Sequence, residues 1–296
     1  MKFGIEVPEH ARRDHSLAIT STGLDWPVEC RPLITMGKDG PIALESHRAI
    51  IRATDDRVLG VCGKDYHPLQ NRDQMDWFQP FLDAGEAELD TVGSLNDGKK
   101  IWAFAKLNLP DAEIIPGDSI GKFLLLSNSH DFSTSIRASL IPHRFSCGNA
   151  LNSMERSSLS LFRVRHNSKA VTTLADIRKT IQEAQKEFGS VVEKFRKLAS
   201  VQLTPGCSFD YINRVFEIPE GSNSSIVKEI ETHMETGRGT NIPGVKGTWW
   251  GLYNSVTEYL NYDACRTEDA RLNHLWYGRG TKISQRALEI AIALAV

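Results

Sequence analysis

Cysteine is scarce. The 296 residues hold five, at 30, 62, 147, 207 and 265, an odd and scattered set without a CxxC pair. That excludes a disulfide framework as the organising device, and reduced thiols in a cytoplasm are expected. The first residues show no apolar segment of the secretory kind, so a cytoplasmic protein is expected. No apolar run is long enough to cross a bilayer. The C-terminal ALEIAIALAV is apolar but short, and we expect it to dock on the body rather than on a membrane. Charge of one sign is also lacking: the formal net charge is -2 and the pI about 6.5. This excludes a histone-like binder pulled onto nucleic acid by a global field, and leaves room for a local basic groove. There is no internal repeat and no low-complexity tract.

What is present is a soluble globular composition, 41% hydrophobic and 24% charged. Its centre of gravity is the stretch DSIGKFLLLSNSHDFSTSIRASLIPHRFSCGNAL at 118–151. An apolar run, a polar turn-rich interval and a period-two run predict strand, turn, strand. ECRPLIT, ESHRAIIRA and RVLGVCG predict a meander upstream, and IWAFAKLNLP and LFRVRHNS predict further strands. Residues 1–30 show no strong periodicity and are expected to be an extended arm.

After residue 170 the pattern turns helical. Ile181, Phe188 and Phe195 belong to an apolar stripe that predicts a long helix over 173–199 with Thr173 as its cap. SFDYINRVF, IVKEIETHMET, TWWGLYNSVTEYLNY and ISQRALEIAIALAV predict further helices. The expected fold class is therefore α+β: a twisted antiparallel sheet in the N-terminal part, packed by helices, and a helical C-terminal part. The expected division is an arm at 1–30, a β-rich core at 31–170 and a helical region at 171–296, the last two compatible with one domain.

Several residues carry chemistry. Ser127, Ser129, His130 and Asp131 contain the types of a hydrolytic triad, but neighbours in one turn do not face one another, and Asp in a turn bonds its own backbone. His130, Asp131, His143 and Cys147 could ligate a metal, yet zinc wants about four ligands in tetrahedral array, usually with a tight pair. We expect neither a metal nor a cofactor. The glycine-rich Gly237–Thr240 and Gly244–Thr248 segments resemble phosphate loops without the P-loop order. Cations interleaved with aromatics form the fuller pattern: Arg137, Arg144, Arg163 and Arg165, with Phe145 and Phe162 among them. Alternation allows several to share a sheet face, as single-stranded nucleic acid requires.

KDYHPLQN, LDTVGSLNDGKKIWAFAKL, the 118–151 core, FRVRHNS and TWWGLYNSVTEYLNY together resemble the phage/plasmid-like protein family of unknown function, from about Arg31 to the C-terminus. The resemblance implies a mobile-element protein in a bacterial cytoplasm, acting near DNA metabolism, with no catalytic motif to carry over. The strand order followed by a long helix is similar to that of phage single-strand annealing proteins. The leading expectation is a non-catalytic protein that binds single-stranded DNA in recombination or annealing, as a homo-oligomer. The alternatives are a metal-dependent hydrolase or nuclease, and a host-takeover or structural protein that binds another protein.

Overall fold

The structure is a computed structural model that describes residues 4–146, 148–151, 162–164, 174–222 and 224–295. The main sheet is antiparallel. Its strands are β1 (Ile5–Glu6), β5 (Ala87–Leu95), β6 (Lys100–Leu107), β8 (Asp118–Ser129), β9 (Ile136–Arg144) and β10 (Asn149–Ala150), in that order across the sheet. β7 (Ala112–Ile115) pairs with β8, and β11 (Phe162–Val164) pairs with β9. A second sheet has the order β2 (Val28–Gly37), β3 (Gly40–Arg52), β4 (Arg57–Gly63). The expected meander is present there.

β8 is the central strand, and almost every residue in it is buried. A strand sends alternate side chains to opposite faces, so burial along its whole length means that both faces are covered. The register is unbroken: Ser127 lies between Trp102 and Arg137, and Ile120 lies opposite Arg144. Trp102, Ser127 and Arg137 therefore share one face, and Ile120 and Arg144 share the other.

The helices are α1 (His15–Ser21), α2 (Gln79–Asp83), α3 (Leu174–Ser200), α4 (Cys207–Phe216), α5 (Ser225–Thr236), α6 (Trp249–Tyr262), α7 (Glu268–Tyr277) and α8 (Arg279–Leu294). Strands lie mainly in the first half and helices in the second, so the fold is α+β. The expected extended arm is corrected: Asp14 accepts the amide of Leu17 and caps α1, which buries Ala18 and Ile19 completely. Seven residues are too few for a periodic signal to stand out. A 3₁₀ turn at Asp76–Phe78 leads into the short α2, with Pro80 in its first turn.

α3 faces the core through Ile181, Phe188, Val191, Val192, Phe195 and Leu198, all buried. Thr173, expected as its cap, lies outside the described residues. Thr248 caps α6 by accepting the amide of Gly251, and Thr267 caps α7 by accepting the amide of Ala270. Trp250 on α6 meets the Arg144 face, and Trp276 on α7 meets Trp102 edge-on at 4.9 Å on the other. One continuous core runs from Val7 to Ala295 and draws on both halves of the chain.

Candidate nucleic-acid interface

Period-two alternation on β6, β8 and β9 brings Lys100, Ser127, Ser129 and Arg137 to one face. α7 lies across that face and ends in Tyr277. Lys100 Nζ stands 4.6 Å from the centre of the Tyr277 ring, and the Arg137 guanidinium 4.7 Å from it. Arg137 donates from Nε to Ser127 Oγ and from Nη2 to the Trp276 carbonyl, both at 3.4 Å. Lys100 Nζ donates to Asn273 Oδ1 at 3.2 Å. Neither cation is within ion-pair range of a carboxylate among the described residues.

This arrangement is electrostatically unusual. Lys100 is buried, and burial pulls its ammonium below the ordinary lysine range, with the charge of Arg137 acting in the same direction. Burial also raises the Tyr277 phenol, which keeps the ring neutral and its face electron-rich between the cations. The two like charges are hydrogen-bonded to neutral groups in a partly desolvated site, with Asp131 and Asp269 opposing the shift of Lys100 from beyond ion-pair range, and such a site favours an anion from outside. The backbone register places Arg163 opposite Arg137.

Arg144 belongs to a different structure. It is fully buried on the opposite face, where Nε donates to Asp118 Oδ1 at 2.8 Å and Nη2 to Oδ2 at 2.7 Å. Ser146 Oγ donates to Asp118 Oδ1 at 2.9 Å, and Trp250 Nε1 donates to Oδ2 at 2.8 Å. Gly239 closes this cluster: at φ +76°, a Cβ there would sit 3.0 Å from Arg144 Nη2. The pair is a buried structural joint between β8, β9, α6 and the glycine-rich loop, with no surface to offer a phosphate. That corrects the grouping of Arg144 with Arg137. The loop's own cations are also engaged, Arg238 by Glu258 at 3.0 Å and Lys246 by Glu235.

Phe145 is 42% exposed, with Lys106 Nζ 5.1 Å from its ring centre. It packs against Phe123 and His143 and so lies on the Arg137 face. Eight residues separate it from Arg137, which is roughly 27 Å along the strand at about 3.4 Å per residue. Phe162 pairs by backbone with Ala138, one register step from the Arg163–Arg137 pair. Arg165 lies outside the described residues. The structure thus brings Arg137 and the Arg163 position together, sets Phe145 at the far end of the same face and removes Arg144.

The metal-type residues are dispersed. His130 is buried and its Nε2 shares a hydrogen bond with Asn71 Oδ1 at 2.8 Å. Asp131 Oδ1 accepts the amide of Ser133, as a turn aspartate does. His143 lies among Phe104, Phe123 and Phe145. Among the described residues no three His, Cys, Asp or Glu side chains are placed to hold a metal ion, and Cys147 lies outside them. Sequence reasoning missed Lys100 and Tyr277. Alternation could have found Lys100, which leads the same run as Trp102. Tyr277 comes from α7, whose weak apolar stripe gave no signal.

The model of a domain of unknown function, DUF932, matches residues 58–276, which include the three strands that build this site and all of α7 but its last residue, Tyr277. No curated protein and no solved structure matches the chain.

Proposed function

We propose, from the premise that this chain belongs to the DUF932 family, a domain of unknown function, that it binds single-stranded nucleic acid without catalysis. One observation carries the reading: Lys100 and Arg137 flank the Tyr277 ring with no carboxylate partner among the described residues. A phosphate is the anion that such a site fits, because guanidinium and ammonium together supply donors in fork and point form. Phe145 under Lys106 supplies an exposed ring on which an unpaired base can stack. A duplex keeps its bases stacked on each other and cannot use that ring.

With a net charge near zero, affinity rests on this local cluster and falls steeply with salt. The role that fits is a recombination or annealing factor of a phage or plasmid, self-associated on the strand in a bacterial cytoplasm. Filter retention of labelled single strands and of duplex, at rising salt, tests it. Retention of the single strand at low salt, weakened in Arg137→Ala and in Lys100→Ala, is expected. Wild type that retains no single strand at low salt overturns the reading.

A further inference from the structure

We propose that Cys30 and Cys62 form a two-coordinate site for a soft monovalent metal ion, copper(I) in particular. The pair lies on the three-stranded sheet, and the proposal is independent of strand binding. The two thiols come from β2 and β4, 32 positions apart, and their Sγ atoms stand 3.5 Å from each other. Both are free cysteines, Cys30 partly exposed and Cys62 buried.

The backbone register explains how they meet. Cys30 lies opposite Ile50 and Cys62 opposite Arg48, and β3 carries both partners two residues apart. Residues directly opposite share a face, as do alternate residues of one strand. Cys30, Cys62, Arg48 and Ile50 therefore share one face. Register shifts flank this patch, between Pro32 and Ile34 and between Ile50 and Ile51. Such irregularities sharpen the local twist, which brings side chains of the two outer strands together over β3. The backbones themselves stay apart by roughly two strand spacings of about 4.8 Å. A disulfide wants its Cα atoms within about 7 Å, so closing one would drag the strands together. An ion between the sulfurs spans a wider gap.

The hydrogen bonds of the two thiols point to the kind of ligand. Cys30 Sγ donates to the Tyr66 carbonyl at 3.7 Å, and Cys62 Sγ donates to the Arg48 carbonyl at 3.5 Å. Each thiol has one proton to give. With both protons on carbonyls, the sulfurs turn lone pairs toward each other. A Lewis acid placed between them answers both. Cysteine sulfur is a soft donor and selects copper(I), zinc and iron–sulfur clusters.

Ligand count decides among these. Structural zinc takes about four ligands in tetrahedral array, and iron–sulfur clusters take about four cysteines. Among the described residues no third His, Cys, Asp or Glu side chain joins the pair. Two sulfurs alone complete a linear copper(I) centre. Binding exchanges protons for metal and oxidises nothing: one copper(I) replaces the two S–H protons, which leave to solvent. The resulting dithiolate complex carries one negative charge. The Arg48 side chain leaves β3 on the same face, opposite Cys62, and supplies the opposing charge. Cys30, the more exposed of the two, is the side of entry.

The test titrates copper(I), delivered without oxygen as its acetonitrile complex, into the reduced whole chain against the coloured competitor bicinchoninate. One copper(I) per chain should bind ahead of the competitor, and X-ray absorption should show two sulfur neighbours. Cys30→Ser should weaken binding by roughly a hundredfold or more, the worth of a second ligand held on one scaffold. Cys62→Ala, which keeps an apolar filling at the buried position, should do the same. Cys207→Ser and Cys265→Ser should leave binding unchanged. The bound ion ties β2 to β4, so it should raise the urea midpoint of wild type and leave that of Cys30→Ser unmoved. The proposal is overturned by any of three results: no copper(I) held against the competitor, a site that survives both Cys30→Ser and Cys62→Ala, or zinc(II) bound as tightly as copper(I).

Discussion

Arg137 and Arg144 sit seven positions apart on the same strand and point to opposite faces of the sheet. One flanks an aromatic ring with no acid partner among the described residues, and the other is clamped in a buried ion pair. An odd separation on a regular strand forces this divergence. The two arginines should respond to mutation in opposite ways.

Arg137→Ala should weaken retention of single strands and lower the slope of log affinity against log salt by about 0.7, the value of one phosphate contact on a single strand. Its unfolding midpoint should stay near wild type, because among the described residues the guanidinium meets neutral groups alone: the Ser127 hydroxyl, the Trp276 carbonyl and the Tyr277 phenol. A salt slope equal to wild type would remove Arg137 from the interface.

Arg144→Ala should cost about 3–5 kcal/mol of stability, since it strands the Asp118 carboxylate in the core. Asp118→Ala should cost a similar amount, because it also frees Ser146 and Trp250. Urea unfolding reads both. A stable Arg144→Ala protein that has lost strand binding would restore Arg144 to the interface.

Much of the fold was legible because its signals are local. Lys100, Trp102 and Phe104 alternate on β6 with Ile101 and Ala103, and the run from Phe123 to Leu126 has the density of a central strand. The α3 stripe was legible for the same reason: Ile181, Phe188 and Phe195 recur every seven residues and all are buried. The site was less legible because it depends on pairing between distant elements. Tyr277 meets Lys100 and Arg137 only when α7 crosses the sheet, and α7 declares itself chiefly through its Thr267 cap and its first-turn acids. Asp118 was invisible as the partner of Arg144, since the two stand 26 positions apart.

Phe188→Ala should cost about 3–5 kcal/mol, as a large-to-small change at a site only 2% exposed does. The ring also carries Lys122 Nζ at 4.6 Å from its centre, a contact the alanine forfeits. Calorimetry giving a thermal midpoint equal to wild type would detach α3 from the core.

Cys30 should resist alkylation near neutral pH. Burial, reinforced by its contact with Cys62 Sγ at 3.5 Å, pushes the Cys30 thiol up to about 11. The thiolate is the reactive form, so iodoacetamide labelling of Cys30 should accelerate only as pH rises toward that value. Labelling at pH 7 as fast as that of a free model thiol would contradict this.

His143 should make stability fall on mild acidification. Its ring centre lies 5.0 Å from that of Phe123 and 5.9 Å from those of Phe104 and Phe145, opposite Gly121 in the register. Burial pushes the imidazole from its ordinary 6.5 down to about 4. The unfolded chain then binds the extra proton between those two values and the folded chain does not. Stability therefore rises with pH across that window and is lost as pH falls from 6.5 toward 4, by at most roughly 3.5 kcal/mol at 1.36 kcal/mol per pKa unit. Carboxylates also begin to titrate at the acid end, so the comparison must be internal. His143→Phe keeps a ring among Phe104, Phe123 and Phe145 and removes the titration. Its loss of stability between pH 7 and pH 4.5, read from urea midpoints, should be smaller than that of wild type. Equal losses in the two proteins would show that His143 takes up its proton as readily folded as unfolded, and the buried imidazole would not be the origin of the acid sensitivity.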